Sequence, residues 1–172
     1  IKTQPPNKNS DFDLAKIRVD VLTTAMPGEP FAMFEKTLKA IAAITTPHDT
    51  YLLDGGNDPA LIELCRQTKT IHVNCKSING AKAGKINHCL QNFAKNPYLL
   101  ILDPDHIPKP DFLEIASPSI FPANVGFVQV VQAYYNKSES FVAWAAAEQT
   151  FGFYGPTLIS LNGVGIPTAI GA

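Results

Sequence analysis

Four short apolar segments alternate with three longer segments of helical periodicity between residues 19 and 102. The short segments are rich in β-branched residues and end at turn-forming residues, as strands do. In the longer segments, apolar residues recur every three or four positions, as on one face of a helix. Parallel strands need such crossovers, so the alternation predicts an α/β fold with a mostly parallel sheet and helices on both faces.

The turn and capping residues set the expected boundaries. The predicted strands are residues 19–24, 50–53, 70–74 and 98–102. The predicted helices begin at Phe31, at Pro59 after the cap Asp58, and after Gly80, and they end before Thr46, at Gln67 and before Asn96. The apolar stripe expected on the third helix is Ala83, Ile86, Leu90 and Phe93. The fourth strand reads YLLIL, a run typical of a strand that is buried on both faces.

The pattern is weaker beyond Pro110. We expect a short helix around residues 112–116, a strand at 125–132, a helix that Ser140 opens and that runs through Ala147, and a glycine-rich tail. Residues 1–10 are mostly polar, so we expect residues 1–18 to be a leader or linker and residues 19–172 to be one incomplete domain.

Composition excludes several classes of protein. The formal net charge of −1 provides no basic field for nucleic acid phosphates, and 45% hydrophobic residues argue against disorder. The longest apolar run, residues 141–147, is shorter than the ~20 residues that cross a bilayer. Three cysteines, Cys65, Cys75 and Cys89, match neither a disulfide framework nor a zinc site. We therefore expect a soluble, cytosolic chain with reduced thiols.

Polar residues follow the ends of three predicted strands. Thr23 closes the first strand, Asp54 closes the second, and Asp103 and Asp105 follow the fourth. The carboxyl ends of parallel strands share one edge, where such sheets bind ligands. Two carboxylates so spaced can share Mg²⁺ or Mn²⁺ with phosphate oxygens, although Asp-Pro-Asp alone is more often a solvated turn. Asp54 before two glycines indicates equally a nucleotide contact or an ordinary turn.

Other candidates lie near helix starts and turns. Lys82 begins a predicted helix, where an ammonium and free backbone N–H groups can bind a phosphate, although an exposed lysine is the simpler reading. Glu29 after the first strand is either a cap or a nucleotide contact. His106 is a possible hydrogen-bond partner of the two aspartates. The aromatic residues Tyr134, Tyr135 and Trp144 indicate core packing or contacts on the acceptor side.

Five segments, taken in order, resemble the family 2 glycosyltransferases, and within them bacterial cellulose synthase and related processive β-glycan synthases. They read VDVLTTAMPGEP, YLLDGGND, NGAKAGKINHCL, LILDPDHIPKPDFL and FVQVVQAYYN. Within them, the pair AKAGKIN and LDPDHIP is the most specific. The resemblance implies a GT-A fold and places this chain in the first part of the catalytic domain.

The resemblance also implies roles for individual residues. The nucleotide-sugar-binding set would be Thr23, Glu29, Asp54, Lys82 and Asp103, and the metal set would be Asp103 and Asp105. Lys82 would lie near the diphosphate, and Asp105 would be the more direct ligand of Mg²⁺ or Mn²⁺. The family usually has two adjacent acids before the glycine, whereas Gly55 follows Asp54 here, so one nucleotide contact is lost or replaced.

The family reaction would be inverting, metal-dependent transfer of a sugar, glucose by resemblance, from a UDP-sugar to a growing β-glycan acceptor. No catalytic residue is expected within the 172 residues, because the base should lie beyond Ala172, and so this portion alone should be inactive. The full-length protein should carry transmembrane helices, with this domain in the cytosol at the cytoplasmic face of the inner (plasma) membrane. Two alternatives remain: a sugar-nucleotide nucleotidyltransferase, although residues 23–30 contain no Lys or Arg, and a non-catalytic nucleotide-sugar-binding module.

Overall fold

The computed structural model describes residues 17–119 and 125–166. The chain divides into two compact units. The sheet unit comprises described residues 17–115, and the helical unit comprises described residues 116–119 and 125–166. Nearly all of the predicted leader, residues 1–16, lies outside the described residues.

Strands and helices alternate in the sheet unit, as predicted. The elements are β1 (Val19–Ala25), α1 (Phe31–Ala42), β2 (His48–Asp54), α2 (Pro59–Thr68), β3 (Ile71–Asn74), α3 (Ala81–Asn92), β4 (Tyr98–Leu102) and α4 (Phe112–Ala116). All strand pairs are parallel, and the order is β3-β2-β1-β4. The α/β class with a parallel sheet is therefore confirmed, with β1 in the interior of the sheet.

Both faces of β1 are covered, since all seven of its residues are buried. Successive strand side chains point to opposite faces, so the two faces carry different clusters. One cluster joins Leu22, Tyr51, Leu53 and Val73 of the sheet to Cys89 of α3. The other face carries the fully buried Val21 and Leu52. Helix α1 buries Phe34, Leu38 and Ile41 and packs against α2.

Two predictions about burial are wrong. Strand β4 is not buried on both faces, because Leu99 and Ile101 are 38% and 44% exposed. Within the described residues β4 pairs only with β1, and the composition of a strand cannot reveal that it lies at an edge. Helix α3 does not bury its predicted stripe either: Leu90 is exposed, and the residues that it buries are Lys85 and Cys89.

The helical unit differs most from expectation. The strand predicted at residues 125–132 is wrong, since this stretch has no strand pairing and its Val128 and Val130 are exposed. Alternating apolar residues form a strand only where a neighbouring strand accepts their hydrogen bonds, and no described segment does so. Helix α5 (Phe141–Gly152) does begin after Ser140, whose Oγ accepts from Ala143 N at 3.1 Å.

The predicted glycine-rich tail is also helical where it is described. A π-helical turn spans Phe153–Thr157, and α6 spans Leu158–Gly163. Core packing of the aromatic residues is not observed, since Tyr135 and Trp144 are 74% and 48% exposed. In the two described stretches, no helix combines the length and the apolar character needed to cross a membrane.

Candidate functional site

The parallel sheet brings the predicted acids to one edge. Strand β1 lies between β2 and β4, with Ala25 beside Asp54 and Thr23 beside Leu102. Asp103 follows Leu102 directly. Since neighbouring strands lie about 4.8 Å apart, the strands that carry Asp54 and Asp103 are separated by roughly 10 Å at this edge. We call it the carboxyl edge of the sheet.

Lys82 and Asp103 form an ion pair at the carboxyl edge. Lys82 Nζ donates to Asp103 Oδ1, and each side chain is 21% exposed. Lys82 stands in the first turn of α3, whose preceding residue Gly80 has a φ of +91° that glycine adopts without strain. The structure thus brings together the residue predicted to lie near the diphosphate and the first predicted metal ligand.

His106 contacts Asp103, as predicted. Its Nδ1 accepts from the backbone N–H of Asp103 at 3.1 Å, and its Nε2 lies 3.5 Å from Asp103 Oδ2. A neutral imidazole that accepts at Nδ1 carries its proton on Nε2. His106 therefore lies beside the Asp103 carboxylate, where it can help to orient this acid.

Asp103 and Asp105 form an acidic pair suited to a hard divalent cation. The nearest ligand atoms of Asp103, Asp105 and His106 all lie within 4.8 Å of one another. Asp105 is exposed and makes no hydrogen bond or ion pair with the described residues. Carboxylate oxygens are preferred ligands of Mg²⁺ and Mn²⁺. The donor set therefore fits the predicted metal, with Asp105 the less encumbered of the two acids.

Asp54 is buried and already engaged by the protein. Its carboxylate accepts from Gly56 N and Asp58 N, each at 2.7 Å, and contacts His72 Nε2 at 3.0 Å. Burial alone would raise the pKa of Asp54, but the hydrogen bonds from His72 and from the backbone together lower this pKa below its ordinary value. Asp54 therefore holds the turn after β2 as an ionised acceptor.

The two remaining predicted contacts lie at the end of β1. Glu29 Oε2 accepts from Met26 N at 2.7 Å and so closes the turn after this strand, which is the capping role that the sequence left open. Thr23 is 1% exposed, and its Oγ1 has no hydrogen-bond partner among the described residues. The other carboxylate oxygen of Glu29, Oε1, accepts no hydrogen bond from the described residues.

Two residues at this edge were not expected from the sequence to take part. His72 holds Asp54, and Lys85 is buried with its Nζ donating to Ala25 O at 3.0 Å. The signal that could have revealed Lys85 is Gly55. A Cβ placed at Gly55 would lie 2.5 Å from Lys85 Nζ, so the position without a side chain makes room for the ammonium.

Residues 18–154 match the protein family described as glycosyltransferase-like family 2. The chain belongs to this family. The predicted resemblance to family 2 glycosyltransferases of the cellulose synthase type is confirmed, and the four-stranded parallel sheet agrees with the predicted GT-A fold.

Two curated relatives are similar to part of the chain. A probable glucomannan 4-beta-mannosyltransferase of Arabidopsis thaliana is 35% identical over 100 residues, which cover 50% of this chain and 19% of the relative. The UDP-forming cellulose synthase catalytic subunit of Komagataeibacter sucrofermentans is 31% identical over 93 residues, which cover 51% of this chain and 12% of the relative. The aligned region is thus a small part of either relative.

Solved structures are similar to the chain as well. The crystal structure of S. aureus TarS 1–349 has a TM-score of 0.47 and 18% identity, and the match covers 69% of this chain and 40% of that one.

Proposed function

We propose that this chain is the donor-binding part of a glycosyltransferase that transfers a sugar, glucose, from a UDP-sugar to a β-glycan acceptor with inversion. The observation that carries the proposal is the ion pair of Lys82 and Asp103 beside Asp105 at the carboxyl edge of the sheet. UDP is favoured because one similar relative is named as UDP-forming.

The diphosphate would lie at the first turn of α3. Free backbone N–H groups and the helix dipole favour an anion there, and Lys82 adds a positive charge that is only partly exposed. Asp103 holds the Lys82 ammonium through Oδ1 before the nucleotide arrives. An ammonium that is already oriented binds with less loss of side-chain entropy, which strengthens binding.

A divalent cation, Mg²⁺ or Mn²⁺, would be held by Asp105 and by Asp103 Oδ2. When bound, such an ion neutralises the charge that develops on the diphosphate leaving group. His106 Nε2 lies 3.5 Å from Asp103 Oδ2, and the Lys82 ammonium binds Oδ1. Oδ2 is therefore the Asp103 oxygen that Lys82 leaves for the cation.

The nucleoside would lie along the ends of β1 and β2. Asp54 is the proposed acceptor for a ribose or base group, presented by a turn that its own hydrogen bonds make rigid. Glu29 would contribute its free oxygen, and Thr23 would contribute a hydroxyl under the edge. Placement of the protein at the cytoplasmic face of a membrane, with a glycan acceptor, stays a prediction from the family resemblance.

Calorimetric titration with UDP in the presence of Mn²⁺ tests the proposal. We expect Asp105→Ala to weaken Mn²⁺-dependent UDP binding by about 10- to 100-fold, since loss of a ligand or its support commonly has effects of that size. The matched control is Asp111→Ala, an exposed aspartate beyond the site. Equal affinity in wild type and Asp105→Ala would remove Asp105 from the site, and the absence of UDP binding to the wild type would end the proposal.

A further inference from the structure

Lys85 is a buried lysine at the carboxyl edge that forms no ion pair with the described residues. It is 3% exposed, and its Nζ donates to the backbone carbonyl of Ala25, the last residue of β1. Its other close contact is Met26 Sδ at 2.7 Å, and a thioether is a weak acceptor. None of the ion pairs found in the described residues includes it.

An unpaired ammonium in the interior costs free energy, so its burial calls for a role other than stability. The space for the ammonium lies beside Gly55. A Cβ at Gly55 would come within 2.5 Å of Nζ, and a Cβ at Gly84 would collide with the carbonyl of Asn79. Gly55 thus leaves room for the Lys85 ammonium at the ends of β1 and β2, and Gly84 lets the segment before α3 pass close to the first turn of this helix.

Lys85 stands one helical turn after Lys82. Residues three apart on a helix lie at neighbouring positions of one face. The hydrogen bond from Lys85 to Ala25 O is therefore a tether that fixes the rotation of α3 and the position from which the Lys82 side chain extends. The tether ends on Ala25 O, which also accepts from Gly55 N at 2.9 Å. One carbonyl therefore links the end of β1, the turn after β2 and helix α3.

We propose that Lys85 is a positioning residue: by binding the Ala25 carbonyl in the space left by Gly55, it holds the first turn of α3 so that Lys82 meets Asp103. Its importance for nucleotide binding rests on the proposed function, but its effect on Lys82 does not. Lys85 acts through Lys82 and touches no reacting atom.

Competitive labelling of amines measures the position of Lys82 without any nucleotide. The full chain, as wild type and as Lys85→Met, is treated briefly with acetic anhydride, and the rate at each lysine is read by mass spectrometry. Met keeps the length of the side chain and removes the donor. We expect the Lys82 rate to rise about fivefold in Lys85→Met, because an interaction of this kind commonly changes an equilibrium by such a factor. The exposed Lys76 in the same molecule is the internal reference.

A nucleotide titration supplies the second measurement. Lys85→Met should weaken UDP binding in Mn²⁺ by about fivefold, and it should add no further loss when Lys82 is already Met. The control variant is Lys76→Met, which should bind UDP as the wild type does. If the wild type does not bind UDP, only the proposed function is contradicted. The role of Lys85 is still tested by the labelling rate of Lys82, which is measured without nucleotide.

Gly55→Ala tests the same contact from the other side, because the added Cβ displaces the ammonium. Gly55→Ala should therefore also raise the labelling rate of Lys82. If circular dichroism shows that Lys85→Met does not fold, Gly55→Ala is the variant that tests whether Lys85 positions Lys82. An unchanged Lys82 rate in a folded variant overturns the proposal. Unfolding of both variants overturns it too, because Lys85 would then serve stability and not position.

Discussion

The carboxylates at the two ends of the sheet differ in how many hydrogen bonds they accept from the protein. At the amino edge, Asp20 is fully buried and accepts from Lys95 N, from Asn96 N and from Asn96 Nδ2. Its neighbour Asp49 accepts from Arg18 and from Asn96. At the carboxyl edge, by contrast, Asp105 has no partner among the described residues. At the amino edge the protein supplies donors to both carboxylates, whereas the carboxyl edge has an acid whose oxygens remain free to bind a ligand.

The difference separates structural acids from acids that can bind ligands. A buried carboxylate must be hydrogen-bonded or it destabilises the fold, which explains the complete set of donors around Asp20. An acid that is to hold a metal must instead keep lone pairs for it. Asp54 falls between these cases, since it lies at the carboxyl edge yet is held by three protein donors. Position at an edge is therefore weaker support for a binding role than unused hydrogen-bonding capacity.

The largest effect is expected at the amino edge. Asp20→Ala removes the acceptor of two backbone N–H groups and one amide, so we expect a loss of about 3 kcal/mol in the free energy of unfolding. Urea unfolding measures it. Asp105→Ala is the comparison, and it should change stability by no more than about 0.5 kcal/mol because its side chain is exposed. Equal losses in the two variants would contradict the contrast between the edges.

The next effect concerns ligand binding at the carboxyl edge. Lys82→Met removes the ammonium from the proposed diphosphate site, and we expect UDP affinity in Mn²⁺ to fall about tenfold. Calorimetry measures the affinity, and Lys109→Met, at an exposed position, is the control. If Lys82→Met leaves UDP affinity unchanged, Lys82 belongs with the structural ion pairs and the proposed diphosphate site must lie elsewhere.

Much of the sheet unit could be predicted because local signals agreed with the tertiary structure. The cap Asp58 accepts from Ala60 N at 2.8 Å, and Leu61 and Leu64 point inward as their spacing predicts. The strand predicted at residues 125–132 failed for the opposite reason. Its apolar alternation was real, but strand formation depends on a hydrogen-bonding neighbour that a single segment cannot specify.

The site was harder to predict than the fold. The sequence identified Asp103, Asp105 and Lys82 through their spacing, and the topology brings them to one edge. It could not identify Lys85, because lysine usually indicates an exposed position and its burial here depends on Gly55, which is 30 residues distant in sequence. Nor could spacing show that Asp54 receives two of its donors from its own turn and the third from His72 of β3.

A smaller effect tests an acid at the carboxyl edge whose role is structural. Asp58 caps α2 through the hydrogen bond from Ala60 N, so we expect Asp58→Ala to lower the free energy of unfolding by about 1 kcal/mol. Asn is an equally good cap, and Asp58→Asn should retain the stability of the wild type. Urea unfolding of the three proteins decides between capping and charge. A loss in Asp58→Asn as large as in Asp58→Ala would show that the charge matters.

The smallest effect is a dependence on pH at the amino edge. Hydrogen bonds from Arg18, and next from Asn96, lower the pKa of Asp49 to about 2, whereas an unfolded aspartate has a pKa of about 3.9. Asp49 therefore stabilises the fold fully above about pH 4, and this contribution is lost as the pH falls through about 2. Its side chain is 32% exposed, so solvent screening keeps the contribution below about 1 kcal/mol.

We expect the urea midpoint to fall less between pH 5 and pH 3 in Asp49→Asn than in the wild type, while the exposed Asp111→Asn keeps the dependence of the wild type. Equal falls in Asp49→Asn and the wild type would place Asp49 among ordinary surface charges and leave Asp20 as the main structural acid of the amino edge.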